Sequence, residues 1–196
     1  MARIAVNGFG RIGRLVVRAG FKHGFFKKHE LVAVNAPDKA MQMADLFTYD
    51  SVHGRWPGKV KINGPHSFTV DGTEIHTLEE RDPSKLPWKK LDVDLVLDCT
   101  GAFRTKEKLQ SHIDAGAGKV LLSAPPKDDM KQFVKGINDD HYQGEEIVSM
   151  ASCTTNCLAP MVKVLLDDFG FKRGFMTTVH AYTNDQVVLD SSHKDL

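Results

Sequence analysis

The chain has 196 residues, 41% hydrophobic and 26% charged, a size and composition that let a globular core bury roughly 70% of the surface an unfolded chain exposes. Lys plus Arg (26) nearly cancel Asp plus Glu (25), so no net field draws the protein toward nucleic acid or acidic membrane. No apolar run approaches the ~20 residues a membrane span needs, and Met1 to Gly8 carries no signal-like apolar region, which makes the cytoplasm the expected compartment.

Ile4 to Val6 reads as an apolar strand, followed by glycines at 8, 10 and 13, a helical periodicity in Ile12, Leu15, Val16 and Ala19, and a second strand, Leu31 to Val34. That is a βαβ unit, whose right-handed crossover makes its strands parallel. Lys59 to Leu78 alternates apolar and polar residues around Asn63-Gly64 and Asp71-Gly72, dipeptides that favour tight hairpin turns, so a β-hairpin insertion is expected there. Leu95 to Cys99 and Val120 to Ser123 are further short strands, separated by a helical stretch from Thr105 to Ala115. Ile147 to Met150 is another apolar strand end. A helical run from Leu158 to Leu166 follows, which Pro160 should bend because it deletes a backbone hydrogen bond. Phe175, Thr177 and Val179 alternate as in a strand. The pattern predicts an α/β fold with a Rossmann-type, doubly wound, mostly parallel sheet.

Gly8, Gly10 and Gly13 fit G-x-G-x-x-G between a strand and a helix, where glycines permit a tight turn and let backbone N–H groups approach a pyrophosphate at the positive end of a helix. Three spaced glycines alone are weak; their placement between strand and helix carries the reading. An NAD site usually has an acid at the end of the second strand to hold the adenosine ribose. Here that end reads Asn35-Ala36-Pro37, with Lys39 nearby. Without a carboxylate to repel a 2′-phosphate, NADP is expected to be accepted beside NAD; the alternative is that Asp38 or another acid keeps NAD as the cofactor.

Cys99, Cys153 and Cys157 form neither an even disulfide framework nor paired metal-ligand spacing, so they read as reduced thiols and no metal is expected. Ser152 suits an N-cap, which puts Cys153 in the first turn of the helix that follows, where the dipole favours a thiolate nucleophile. His180 follows the Phe175 to Val179 alternation, on a strand suited to set an imidazole beside the thiol as general base. Cys99 reads as a packing residue and His53 as part of a structural loop; Cys157, one helical turn after Cys153, is open to packing or to a redox role through a disulfide with it. Lys27-Lys28 and Lys127 to Lys131 lack the interleaved aromatics that single-stranded nucleic acid requires.

Six stretches, taken together and in order, are more specific: Asn7-Gly8-Phe9-Gly10-Arg11-Ile12-Gly13-Arg14, Tyr49-Asp50-Ser51-Val52-His53-Gly54, Glu80-Arg81-Asp82-Pro83, Ser123-Ala124-Pro125, Ala151 to Pro160, and Thr177-Thr178-Val179-His180-Ala181. They closely resemble the glyceraldehyde-3-phosphate dehydrogenase family along the whole chain. The resemblance implies a dinucleotide domain over 1–152 and, over 153–196, the first helix and strand of a truncated α+β catalytic domain. It implies that Cys153 attacks the aldehyde, that His180 lowers the thiol pKa and holds the developing oxyanion, and that Ser152, Thr154 and Thr183 hold the attacking or substrate phosphate. Arg11 and Ile12 would line the pyrophosphate turn, and Asn35 and Arg81 would sit near the adenosine. Thr100, Gly101 and Ser123 would follow the cofactor, with Asn184 near the nicotinamide. Ala36 stands where NAD-specific members have Asp. The implied partners are a small phosphorylated aldehyde and inorganic phosphate, in a homotetramer of the full-length protein. Erythrose-4-phosphate dehydrogenase shares most of these motifs and is the sibling reading. A nucleotide-binding fragment without turnover is the reading from another class.

Overall fold

The structure, a computed structural model, describes residues 1–183 and residue 186. The chain divides into two compact units, Met1–Met161 and Val162–Leu196. The first opens with the expected βαβ: β1 (Arg3–Asn7), α1 (Arg11–Lys22) and β2 (Glu30–Asn35), with β1 and β2 parallel. Next come α2 (Ala40–Thr48), a two-stranded pair of β3 (Tyr49–Asp50) and β4 (Gly54–Arg55), and the meander β5 (Val60–Gly64), β6 (Ser67–Val70) and β7 (Thr73–Leu78). After these, β8 (Leu95–Asp98), α3 (Lys106–Asp114), β9 (Lys119–Leu122) and β10 (Ile147–Ser149) lead into α4 (Cys153–Phe169).

The main sheet runs β10-β9-β8-β1-β2-β7-β6-β5. Every neighbour pair from β10 to β7 is parallel; β6 and β5 continue it antiparallel. The chain builds outward from β1 to β2 and β7 on one side, then returns to build β8, β9 and β10 on the other. Strand order therefore reverses between β1 and β8, the point where a doubly wound sheet opens a crevice at its carboxyl edge. Both faces are covered, as parallel strands require. Trp88, Val96, Leu109 and Val120 pack on one side, and Phe9, Val17, Met43, Phe47 and Phe68 on the other.

Three details depart from the sequence reading. Asp71 and Gly72 form the two-residue turn between β6 and β7, both at positive φ (48° and 89°), as the Asp-Gly signal requires. Asn63-Gly64 instead sits in the strand at a register irregularity, with Gly64 paired to Ser67, so the turn falls on Pro65-His66, where proline presets the backbone. Helix α2 was not read from the sequence; its buried Ala40, Met43, Ala44 and Phe47 recur every three or four residues on one face. Finally, α4 forms and stays helical on both sides of Pro160, but the expected strand from Phe175 to Val179 has no sheet partner among the described residues. A strand takes its hydrogen bonds only from a neighbour, and Phe175 and Val179 are fully exposed here.

Phe68 is wholly buried and meets the rings of Phe9 and Phe47. Phe68→Ala is expected to lower the free energy of unfolding by about 3–5 kcal/mol, read from the urea midpoint at constant slope.

Candidate functional site

The six parallel strands end at one edge, and the glycine turn leaves β1 there. Gly8 has φ +91°, and a Cβ on it would lie 2.7 Å from the backbone of Cys99 and Thr100. A Cβ on Gly13 would meet the carbonyl oxygen of Gly8 at 1.9 Å, whereas one on Gly10 would meet nothing within 4 Å. The outer glycines are thus demanded by the protein's own packing, while the middle one faces open space. Gly10 caps α1 without a side-chain hydrogen bond, and the first turn of α1 contains no acid. Uncapped amides at a positive helix end, with room in front of them, fit a pyrophosphate.

Arg11 stands in that first turn, exposed, and its guanidinium donates to both oxygens of Asp50 at 3.1 and 3.2 Å. Asp50 is anchored in turn by the amides of His53 (2.8 Å) and Val52 (2.9 Å). Those amides, aided by Arg11, hold its carboxyl well below the usual carboxylate range. The Asp50–Gly54 loop thereby steadies the arginine of the glycine turn. Ile12, beside it, is exposed.

At the end of β2, the Asn35 amide donates to Asn7 Oδ1 and to the Glu80 carbonyl, both at 2.7 Å, and accepts the Glu80 N–H at 3.0 Å. That two-way clamp fixes the loop carrying the exposed Arg81. Ala36 is buried, and its N–H donates to the Leu78 carbonyl. At the end of β8, the N–H and hydroxyl of Thr100 both donate to Asp98 Oδ1, at 3.1 and 2.7 Å, and Gly101 follows at φ +70°. Ser123 follows β9, and its N–H donates to the Asp98 carbonyl. Burial pushes the neighbouring Cys99 thiol up to about 11, against a smaller opposing effect of its hydrogen bond with Ser123; it packs, half-buried, against the core.

After β10 the backbone turns sharply. Ala151 adopts φ +59°, a left-handed conformation that costs an L-residue roughly 1–2 kcal/mol. Its N–H donates to Ser149 Oγ. Ser152 Oγ then accepts the Thr155 N–H at 2.9 Å, the expected N-cap, and Cys153 is the first residue of α4, exposed, with Thr154 beside it. The residues expected at the site from Gly8 to Thr154 therefore gather at one carboxyl edge, within one compact unit. His180 and Thr183 belong to the second unit. There His180 Nδ1 lies against the Ala181 carbonyl and the Thr183 N–H donates to Gln186. Asn184 lies outside the described residues. The sequence reading assigned no role to Asp50 or Asp98; a single acid closing the apolar run Leu95-Val96-Leu97 was the available signal for Asp98.

A glycine turn on the central strand, at the switch point of a doubly wound sheet, defines a dinucleotide-binding α/β protein, here with a thiol at a helix start on the same edge. Comparison with known proteins gives the family. Residues 2–106 match the NAD binding domain of glyceraldehyde 3-phosphate dehydrogenase, and residues 152–196 match its C-terminal domain. The chain is 49% identical over 195 residues to the glyceraldehyde-3-phosphate dehydrogenase of Clostridium pasteurianum, covering 99% of this chain and 57% of that protein. It is 52% identical over 200 residues to that of Thermotoga maritima, covering 100% of this chain and 59% of the relative. It is 48% identical over 196 residues to glyceraldehyde-3-phosphate dehydrogenase 2 of Bacillus subtilis, at 99% and 56%. The chain belongs to the glyceraldehyde 3-phosphate dehydrogenase family. It spans less than three fifths of the length of these relatives.

Two outcomes follow from this geometry. Gly13→Ala is expected to lower the melting temperature by several degrees while Gly10→Ala leaves it within about a degree, because only the first clashes with backbone. In native protein at pH 8, iodoacetamide should label Cys153 at least tenfold faster than Cys99, whose thiolate fraction at a pKa of about 11 is about one in a thousand; peptide mass mapping reads both.

Proposed function

We propose that the polypeptide of family length is an NAD(P)-dependent phosphorylating aldehyde dehydrogenase. It oxidises glyceraldehyde 3-phosphate, with inorganic phosphate, to 1,3-bisphosphoglycerate. The observation that carries this reading is an exposed thiol in the first turn of α4, on the same sheet edge as the glycine turn. Residues 1–152 form the nucleotide domain and 153–196 begin the catalytic domain. The 196 residues alone bind nucleotide; turnover belongs to the polypeptide with the complete catalytic domain.

In this reading the Cys153 thiolate attacks the aldehyde carbon, forming a carbon–sulfur bond and a hemithioacetal oxyanion. His180, which has taken the thiol proton, hydrogen-bonds that oxyanion and lends it the proton, then takes the proton back as the carbonyl re-forms. The bound nicotinamide supplies an acceptor for the hydride that leaves the same carbon. Cys153 is then acylated as a thioester. Phosphate oxygen attacks its carbonyl, the carbon–sulfur bond breaks, and the thiolate returns. Ser152, Thr154 and Thr183 hold the two phosphates; Gly8, Gly10, Arg11, Ile12 and Gly13 take the pyrophosphate. Asn35 and Arg81 sit near the adenosine, Thr100, Gly101 and Ser123 follow the cofactor, and Asn184 is assigned to the nicotinamide end. The full-length protein works as a cytoplasmic homotetramer.

Ala36 leaves the end of β2 without a carboxylate, which supports acceptance of NADP. The ratio of kcat/KM for NADP over NAD should fall about tenfold or more in Ala36→Asp, since an acid there repels a 2′-phosphate. A strong NAD preference unchanged by that substitution defeats the NADP reading. In the polypeptide of family length, Cys153→Ser should lower kcat at least about a thousandfold, and His180→Asn roughly a hundredfold or more. Labelling of Cys153 by iodoacetamide no faster than free cysteine would overturn the thioester chemistry. Faster turnover of erythrose 4-phosphate than of glyceraldehyde 3-phosphate would favour the sibling enzyme.

A further inference from the structure

Beneath the carboxyl edge lies a continuous line of buried polar groups, of which the chemistry above uses only Asn35. Trp88 Nε1 donates to His112 Nδ1 at 2.9 Å, and His112 Nε2 lies 3.2 Å from Asp98 Oδ2. From the other side, Asn7 Nδ2 donates to the same Asp98 oxygen at 2.8 Å, while Asn7 Oδ1 accepts from Asn35 Nδ2 at 2.7 Å. The other carboxylate oxygen takes the N–H and hydroxyl of Thr100. Trp88, His112 and Asp98 are completely inaccessible to solvent, and Asn7 and Asn35 nearly so.

The polarity of this line is fixed at both ends. An indole N–H only donates, so His112 Nδ1 must accept and its proton sits on Nε2, aimed at Asp98. At the far end Asn35 both donates to and accepts from the backbone of Glu80, which forbids an amide flip. Its Nδ2 therefore needs Asn7 Oδ1, and that orientation points Asn7 Nδ2 at Asp98. Two donor-directed arms thus converge on one side chain, and Thr100 adds two further donors. Only a carboxylate accepts at both oxygens.

We propose that Asp98 is a positioning residue of the dinucleotide site. It ties the Thr100–Gly101 turn to the Asn7–Gly8 turn and, through Asn7 and Asn35, to the Glu80–Arg81 loop, with the histidine tautomer set by Trp88. The proposal takes the glycine edge as the nucleotide site, but its exchange and tautomer tests are independent of that reading. Asp98→Asn keeps size and shape but replaces one acceptor oxygen with an NH2 group, which must face either the Thr100 donors or Asn7 Nδ2 and His112 Nε2–H. In that variant, amide exchange at Thr100 and Glu80 should accelerate at least about tenfold, with the distant β5–β6 pairing unchanged. The dissociation constant for NAD, by calorimetry, should rise about tenfold or more.

The sign of coupling separates this role from plain core packing. Trp88→Phe alone should weaken NAD binding, since it frees His112 to change tautomer. Added to Asp98→Asn it should restore part of the lost affinity and exchange protection, because His112 can then accept at Nε2 from the new amide. Nitrogen-15 NMR of the wild-type imidazole should show the proton on Nε2.

An Nδ1–H tautomer, additive losses in the double variant, or exchange unchanged at both Thr100 and Glu80 in folded Asp98→Asn each overturns the proposal. Absence of NAD binding to the wild type instead sinks the nucleotide reading and leaves the tautomer and exchange tests to decide the rest. Should Asp98→Asn fail to fold, His112→Phe, which removes one donor, should accelerate Thr100 exchange severalfold. His112→Gln, whose amide still donates, should return most of the protection; equal exchange in the two variants rejects the idea.

Discussion

Parallel pairing of β1 with both of its neighbours is the constraint from which the rest follows. Parallel strands in one sheet share a direction, so the ends of β2, β7, β1, β8, β9 and β10 all reach the same edge. Side chains far apart in sequence are delivered to one place without any of them choosing it: Gly8 after β1, Asn35 at the end of β2, Thr100 after β8, Ser123 after β9 and Cys153 after β10. The antiparallel β5–β6 extension lies beyond β7, away from the switch point between β1 and β8. It enlarges the sheet and its core without entering the crevice.

Such an edge has a cost in unpaired backbone and strained turns, and the protein meets it with side chains. Asp50 takes two amides and steadies Arg11. Asn35 clamps Glu80, and Asp98 gathers Thr100 and Asn7. Ser152 caps α4 just after the left-handed Ala151. These are polar groups that would be expensive to bury alone and are instead joined into networks, so that loops which must meet a ligand are held from below. Cys99 and Cys153 illustrate the division of labour. One thiol is half-buried against the core, with its pKa raised by burial, and the other is exposed at a helix start. Residue type is identical; position alone separates the two environments.

Sequence periodicity identified the strands of the βαβ opening, β8, α3 and β9 within a residue or two, because their apolar residues recur at the spacing their burial requires. It also located the Asp71-Gly72 hairpin, whose positive φ angles are intrinsic to that dipeptide. The second hairpin was displaced onto Pro65-His66 because proline outweighed Asn63-Gly64, a competition between neighbours that no single signal resolves. Phe175 to Val179 alternates like a strand and yet runs without a partner among the described residues. Alternation expresses a capacity to pair; only a neighbouring strand supplies the bonds.

The sequence by itself determined the glycine turn, the capped helix that begins at Cys153 and the family, since each is written in adjacent residues whose local conformation is nearly forced. Only the tertiary structure decided what lies beneath them. Trp88, His112, Asp98, Asn7 and Asn35 come from five separate segments, and nothing in their local spacing announces that they touch. Hydrogen-bond polarity is a property of the assembled line: each donor is fixed by the acceptor beyond it, and that order exists only once the strands have been brought side by side.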